Sequence, residues 1–268
     1  MNRHIALGTL PDLLDLRGQS LPELSDRLIR CQGWNEFEER QMSAALQIAQ
    51  ILHADDTHRG RPYQFHNVRA GLRVVDVHYL GIRVVAAGIA GGLHDAVEDH
   101  DLDLIELYNS GSQLFGDEPR DRLSIPTDLD KRQAVALEII RLTFGGDVAR
   151  GIAGVTNPPD FTKGKSQHDK IHDARVRVKK AVEHPDCWAL KVADATDHSA
   201  DDPLPGSETE KNLAYYHLKN FVTLDELRLR LMDEEIRNTL TSSAVDYFYG
   251  HYHYARDLVP KSQRDYFS

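Results

Sequence analysis

The residues best suited to do chemistry in this chain are the run Leu93-His94-Asp95-Ala96-Val97-Glu98-Asp99, a His–Asp pair followed at once by a Glu–Asp pair, at the end of a long run of small and apolar residues. Four such side chains against a core segment are costly to fold, and a functional site accounts for the cost. On a helix His94 and Glu98 stack on one face, as do Asp95 and Asp99, so a single turn would offer a hydrolytic centre. Upstream, Pro62-Tyr63-Gln64-Phe65-His66 puts a histidine on the preceding helix, and downstream Leu190-Lys191-Val192-Ala193-Asp194 ends an apolar stretch on an aspartate. His66, His94, Asp95 and Asp194 make two imidazoles and two carboxylates without a thiolate, a donor set suited to Mn²⁺, Fe²⁺, Zn²⁺ or Mg²⁺. An ion held by four protein ligands keeps positions open for water and a substrate oxygen, and it lowers the pKa of the bound water toward neutrality. Glu98 and Asp99, one turn past the ligands, are suited to orient or deprotonate that water or to protonate a leaving group.

The elements that must position these groups read as helices almost throughout, which predicts an all-α fold. Asn35 with Glu38 forms a capping box, and Phe37, Ala45, Ile48, Ile51 and Leu52 give a helical stripe up to His53. A loop at 55–62 precedes a helix over about 63–79, and the next helix ends in the His–Asp motif. Residues 100–130, with Gly111, Gly116, Pro119 and Pro126, read as a surface insertion set to flank the cleft. Further helices run over about 129–143 and 166–183, Pro185 stops the second of these, a buried one follows through Trp188 to Asp194, and Ser207 with Glu210 opens a long terminal helix. No linker divides the chain, so residues 1–268 read as one domain, with its motif core at about 45–200 and a helical extension at about 206–268.

Composition limits the function. With 41% apolar and 28% charged residues the chain reads as an ordinary globular protein, and without a secretion signal or a long apolar span it is expected in the cytoplasm, off the membrane. Cys31 and Cys187 have no metal-binding spacing and are expected to be free thiols. A net charge of −10 argues against generic nucleic-acid binding. Against that background, Lys163, Lys165, Lys170, Arg175, Arg177, Lys179 and Lys180 form a distinctly basic segment. Ile171, Ala174, Val178 and Ala181 make the buried stripe of its helix and leave Arg175 and Lys179 on a flanking face. Lys163 and, above all, Arg175 are the candidate contacts for an anionic substrate.

Taken in order, Gly60 to His66, Leu93 to Asp99, Phe144-Gly145-Gly146-Asp147-Val148 through Gly154-Val155-Thr156, and Lys191 to Asp194 resemble the blocks of the HD-domain hydrolases of the RelA/SpoT alarmone family, in particular the stand-alone small alarmone hydrolases. The resemblance implies an HD-type helical bundle and His66, His94, Asp95 and Asp194 as ligands of Mn²⁺. It also implies Glu98 and Asp99 as catalytic, with a small nucleotide substrate losing its 3′-pyrophosphate. His58 and Arg59 fall in the family's basic loop, where its Arg-Lys is here Thr57-His58. His198 stands where the family has a ribose-contacting asparagine, and Tyr216 where relatives place a tyrosine against the nucleotide. Gly91-Gly92 replaces a bulky apolar pair, which implies a close helix–helix approach. Two other readings stay open: a hydrolase of a tRNA 3′ end or an adenosine alarmone acting as antidote to a cognate toxic synthetase, and a non-catalytic binding module of the same fold.

Overall fold

A computed structural model describes residues 16, 18–30, 34–76, 84–117, 120–159, 164–181, 184–200 and 203–267. In chain order the elements are α1 (Leu21–Ile29), α2 (Glu36–Leu52), a hairpin of β1 (Thr57–His58) and β2 (Arg61–Pro62), α3 (Gln64–Asp76), α4 (Val84–Leu93), the single turn α5 (Ala96–Asp99), α6 (Asp101–Asn109), a 3₁₀ turn at Gln113–Phe115, α7 (Leu129–Phe144), α8 (Gly146–Val155), α9 (Gln167–Ala181), α10 (Pro185–Ala200), α11 (Glu208–Lys211), α12 (Leu213–Arg230), α13 (Glu234–Thr239), α14 (Ser242–Asp257) and α15 (Lys261–Phe267). The fold is an all-α bundle, as the helical periodicity predicts. Among the described residues no helix is long and apolar enough to cross a membrane.

The apolar α4 lies at the centre, packed on α2, α3, α8 and α10. Its glycines explain how. A Cβ on Gly91 would stand 2.7 Å from the Gly71 Cα and 2.8 Å from its nitrogen, so two backbones meet where neither residue can carry a side chain. This approach of α4 to α3 brings Leu93–His94 beside His66. On the far side Trp188 is wholly buried and donates from Nε1 to the Leu227 carbonyl at 3.0 Å, tying α10 to α12. The Asn35 capping box forms with both of its bonds, Glu38 N to Asn35 Oδ1 at 3.1 Å and Asn35 N to Glu38 Oε2 at 3.0 Å. Ala45, Ile48 and Leu52 of that stripe are buried, whereas Phe37 and Ile51 stand exposed at its end and margin.

Four expectations from the sequence are corrected. The motif at 93–99 is not one helix: α4 ends at Leu93, His94–Asp95 form a turn, and α5 starts again at Ala96. The loop at 55–62 holds the hairpin, whose turn residues Arg59 and Gly60 both have positive φ, 55° and 82°. The segment at 100–130 contributes to the core, because α6 buries Leu104, Ile105 and Tyr108. The C-terminal extension is several helices instead of one long one. Asn212 interrupts it, Asp233 and Thr241 start new helices by accepting from Glu235 N and Ala244 N, and Pro260 follows α14. Cys187 is buried and free, while Cys31 lies outside the described residues.

Gly91→Ala is expected to destabilise the fold by about 1–3 kcal/mol, since the new methyl meets backbone that cannot turn aside. Gly146→Ala, which has open space around it, serves as control. Chemical denaturation of both variants measures the difference.

Candidate functional site

The turn after α4, the first turn of α3 and the middle of α10 bring His94 and Asp95, His66, and Asp194 together. His66 Nε2 lies 3.2 Å from His94 Nε2, 3.5 Å from Asp95 Oδ2 and 3.6 Å from Asp194 Oδ1. His94 Nε2 lies 2.9 Å from Asp95 Oδ2 and 3.7 Å from Asp194 Oδ1. Atoms bonded to one ion at about 2.1 Å stand roughly 3.0–3.5 Å apart, so these separations are close to those that ligation of one divalent ion needs. The outer nitrogens strengthen the fit. His94 Nδ1 donates to the Gly91 carbonyl at 2.8 Å, which can only accept, and His66 Nδ1 donates to Asp197 Oδ2 at 2.9 Å. With the outer nitrogens so engaged, both Nε2 atoms face inward between two carboxylates, an arrangement that favours positive charge there, whether a proton or a metal ion.

The electrostatics agree with that demand. Burial alone would push both imidazoles down, yet hydrogen bonds to the accepting carboxylates of Asp197 and Asp95 hold His66 above its ordinary range, and Asp95 and Asp194 hold His94 well above it. Burial opposes the charged forms of Asp95 and Asp194 too, but His94 and His66 beside Asp95, and Lys191 and His198 beside Asp194, keep both well below the usual carboxylate range. Around the ligands stands a supporting layer. Tyr63 donates to Asp95 Oδ2 at 2.7 Å, Lys191 to Asp194 Oδ2 at 2.6 Å, and His198 Nε2 sits 3.0 Å from Asp194 Oδ1. Burial pushes the His198 imidazole down to about 4. Asp197, fully buried, accepts from Arg69 Nε at 2.9 Å and Arg73 Nε at 3.1 Å besides His66.

Beside this centre opens a cavity of about 670 Å³ lined by Asp95, Glu98, Asp99, Asp194 and His198 together with Arg177, Lys191 and Lys219. Glu98 is held by Asn157: its Oε2 accepts from the Asn157 backbone N–H at 2.9 Å and its Oε1 from the side-chain amide. Burial and the Asp95 carboxylate raise its pKa. Asp99 reaches solvent at the mouth, but poor hydration there, with the Asp95 and Glu98 carboxylates close by, pushes its carboxyl up to about 7.

The remaining candidates from the sequence fall elsewhere. His58 stacks on His66 with ring centroids 4.6 Å apart, and Arg59 is buried with its guanidinium on the His198 carbonyl, so both buttress the ligands from behind and neither lines the cavity. Arg175 is drawn away by Glu226, 3.1 Å distant on α12. Tyr216 packs edge-on against Tyr215 outside the cavity lining. Lys163 lies outside the described residues. On α9, Arg175 and Arg177 occupy opposite flanks of the Ile171–Ala174–Val178 stripe, and the flank facing the cavity is that of Arg177. Sequence reasoning also missed Asp197 and Lys219. Asp197 carried a usable signal, standing three residues after a ligand on the same helix, whereas nothing local marks Lys219. No model of a known protein family matches the chain, and no curated protein matches it.

Removing the Asp197 carboxylate takes the countercharge from two buried guanidinium groups and frees the His66 ring. Asp197→Ala is expected to cost about 3–5 kcal/mol in denaturant unfolding and to weaken divalent-metal affinity about 10- to 100-fold in titration. Asp197→Asn, which keeps an acceptor for one of its donors, is expected to fall between this variant and the wild type.

Proposed function

We propose that the protein is a cytoplasmic, divalent-metal-dependent phosphohydrolase that removes the 3′-pyrophosphate of a guanosine alarmone, giving GDP or GTP plus pyrophosphate, with Mn²⁺ as its ion. The observation that carries the reaction class is the opening of one cavity onto three things at once: a four-ligand His₂Asp₂ centre, a Glu–Asp pair, and the cations of Arg177, Lys191 and Lys219. The guanosine and the identity of the ion come from the motif resemblance.

His66, His94, Asp95 and Asp194 would hold the ion, which supplies a polarised phosphate oxygen and water of lowered pKa. The chain's own groups do the rest. Arg177, Lys191 and Lys219 neutralise phosphate charge and orient it inside the cavity, where a cation is worth more than in bulk water. Glu98, fixed by its two bonds from Asn157, orients the attacking water, and Asp99 at the mouth exchanges a proton with the water or with the leaving oxygen. Hydrolysis breaks the bond between the ribose 3′-oxygen and phosphorus. Water supplies the oxygen that joins the pyrophosphate and the proton that joins the 3′-hydroxyl.

A small nucleotide is favoured over RNA by the way the basic segment is paired. Lys165 is bound to Asp173 at 2.6 Å and Arg175 to Glu226 at 3.1 Å, so these cations do not form an open stripe along a backbone. Cations instead gather inside the cavity.

Assaying 3′-pyrophosphorylated guanosine and adenosine nucleotides and tRNA, with and without Mn²⁺, tests this. Chelation is expected to abolish guanosine-alarmone turnover and Mn²⁺ to restore it. Turnover confined to tRNA and falling steeply with salt would replace this reading, and metal-independent nucleotide binding without turnover would leave a binding module. His94→Ala is expected to lose the ion, measured by elemental analysis, together with activity. Glu98→Gln is expected to keep the ion and lower kcat about 100-fold or more.

A further inference from the structure

Behind the carboxylates, the cavity wall contributed by α12 carries Lys219, Asn220 and Thr223, three polar side chains on one helix face. Asn220 is only 6% exposed, and its amide Nδ2 has no hydrogen-bond acceptor among the described residues. A buried N–H left unmet costs about 1–3 kcal/mol, so such a group in a cavity wall needs an acceptor from a ligand or from water. Lys219 has no carboxylate in ion-pair range among the described residues. The carboxylates farther along the same helix are engaged elsewhere: Glu226 accepts from Arg175 at 3.1 Å and Asp225 from Arg228 at 2.9 Å. Burial, with the Lys191 and Arg177 cations near, lowers the Lys219 pKa even though the Asp194 and Glu98 carboxylates pull it up, so its charge is only partly offset.

We propose that Lys219 and Asn220 form a phosphate-oxygen subsite on the α12 wall of the cavity, distinct from the metal ligands. The ammonium supplies charge and the amide a directed donor, a pair that fits an anionic oxygen better than a neutral carbonyl. The identity of the ligand as a nucleotide rests on the function proposed above, whereas the subsite itself is testable without turnover.

The test titrates inorganic pyrophosphate into the purified protein by calorimetry, with and without chelator, for the wild type, Lys219→Met, Asn220→Asp and, as a charge control outside the cavity, Lys179→Met. Lys219→Met is expected to weaken pyrophosphate binding about tenfold or more in both conditions, and Asn220→Asp to weaken it at least as much by placing a carboxylate at the subsite. Lys179→Met is expected to change it less than twofold. Because Lys219→Met removes a poorly solvated charge, its melting temperature is expected to equal or exceed that of the wild type, which separates lost binding from lost folding. Pyrophosphate affinity in Lys219→Met within twofold of wild type would overturn the proposal, as would a loss no larger than that of Lys179→Met. If the wild type hydrolyses the nucleotide while Lys219→Met binds pyrophosphate normally, the subsite fails and the function stands. If no 3′-pyrophosphorylated substrate is turned over but Lys219→Met still loses pyrophosphate, the function fails and the subsite stands.

Discussion

The Asp197 carboxylate is the interaction on which the rest of the site depends. It is wholly buried, and it answers two wholly buried guanidinium groups and one imidazole from α3 at once. Charges so deep in a bundle are tolerable only when paired and hydrogen-bonded. Arg69 and Arg73 could not stay buried without Asp197, and the carboxylate would be equally stranded without them. The arrangement locks α10 to α3 and, through the Arg73 guanidinium on the Tyr247 hydroxyl at 3.2 Å, to α14. It also turns the His66 ring so that Nε2 faces the centre. A structural ionic knot and the orientation of the His66 imidazole, the proposed metal ligand, are the same set of hydrogen bonds.

A second constraint is steric. α4 can reach α3 only because Gly71 and Gly91 lack side chains where the backbones meet. That contact sets the distance from His66 to His94, on the helix and on the turn that follows it. The break at His94–Asp95 then lets the two halves of the motif serve different ends. The first half faces the ligand centre, while the short helix after it sends Glu98 to the Asn157 amide at the end of α8. A continuous helix could not divide the four polar groups in this way.

The charge distribution of the molecule follows the same economy. Its excess of acidic residues leaves the surface poorly suited to polyanions, and the cations that matter for an anionic ligand are brought inside from α9, α10 and α12. Within the cavity, low hydration strengthens each of them. The carboxylates of the motif and the cations of the later helices face the same space, as the proposed cleavage of a phosphate ester requires.

The sequence by itself determined the helical class and most helix boundaries, and it picked out the four residues, His66, His94, Asp95 and Asp194, that the fold gathers. Those features are written in local spacing: the Asn35 cap, the Ile171–Ala174–Val178 stripe, and the adjacency of His94 and Asp95. It also marked the helix contact at Gly91, because glycine inside an apolar helix is costly unless a backbone takes its place. Only the tertiary structure decided which cations face the ligand. Arg175 and Arg177 are two residues apart on one helix, and the choice between them depends on Glu226, which lies 51 residues from Arg175 along the chain. His58 and Arg59 turned away from the cavity for a similar reason, since the hairpin is pinned by the bond from Leu204 N to the Arg59 carbonyl at 2.9 Å. Side-chain direction at such positions is set by long-range partners, and no local pattern encodes them.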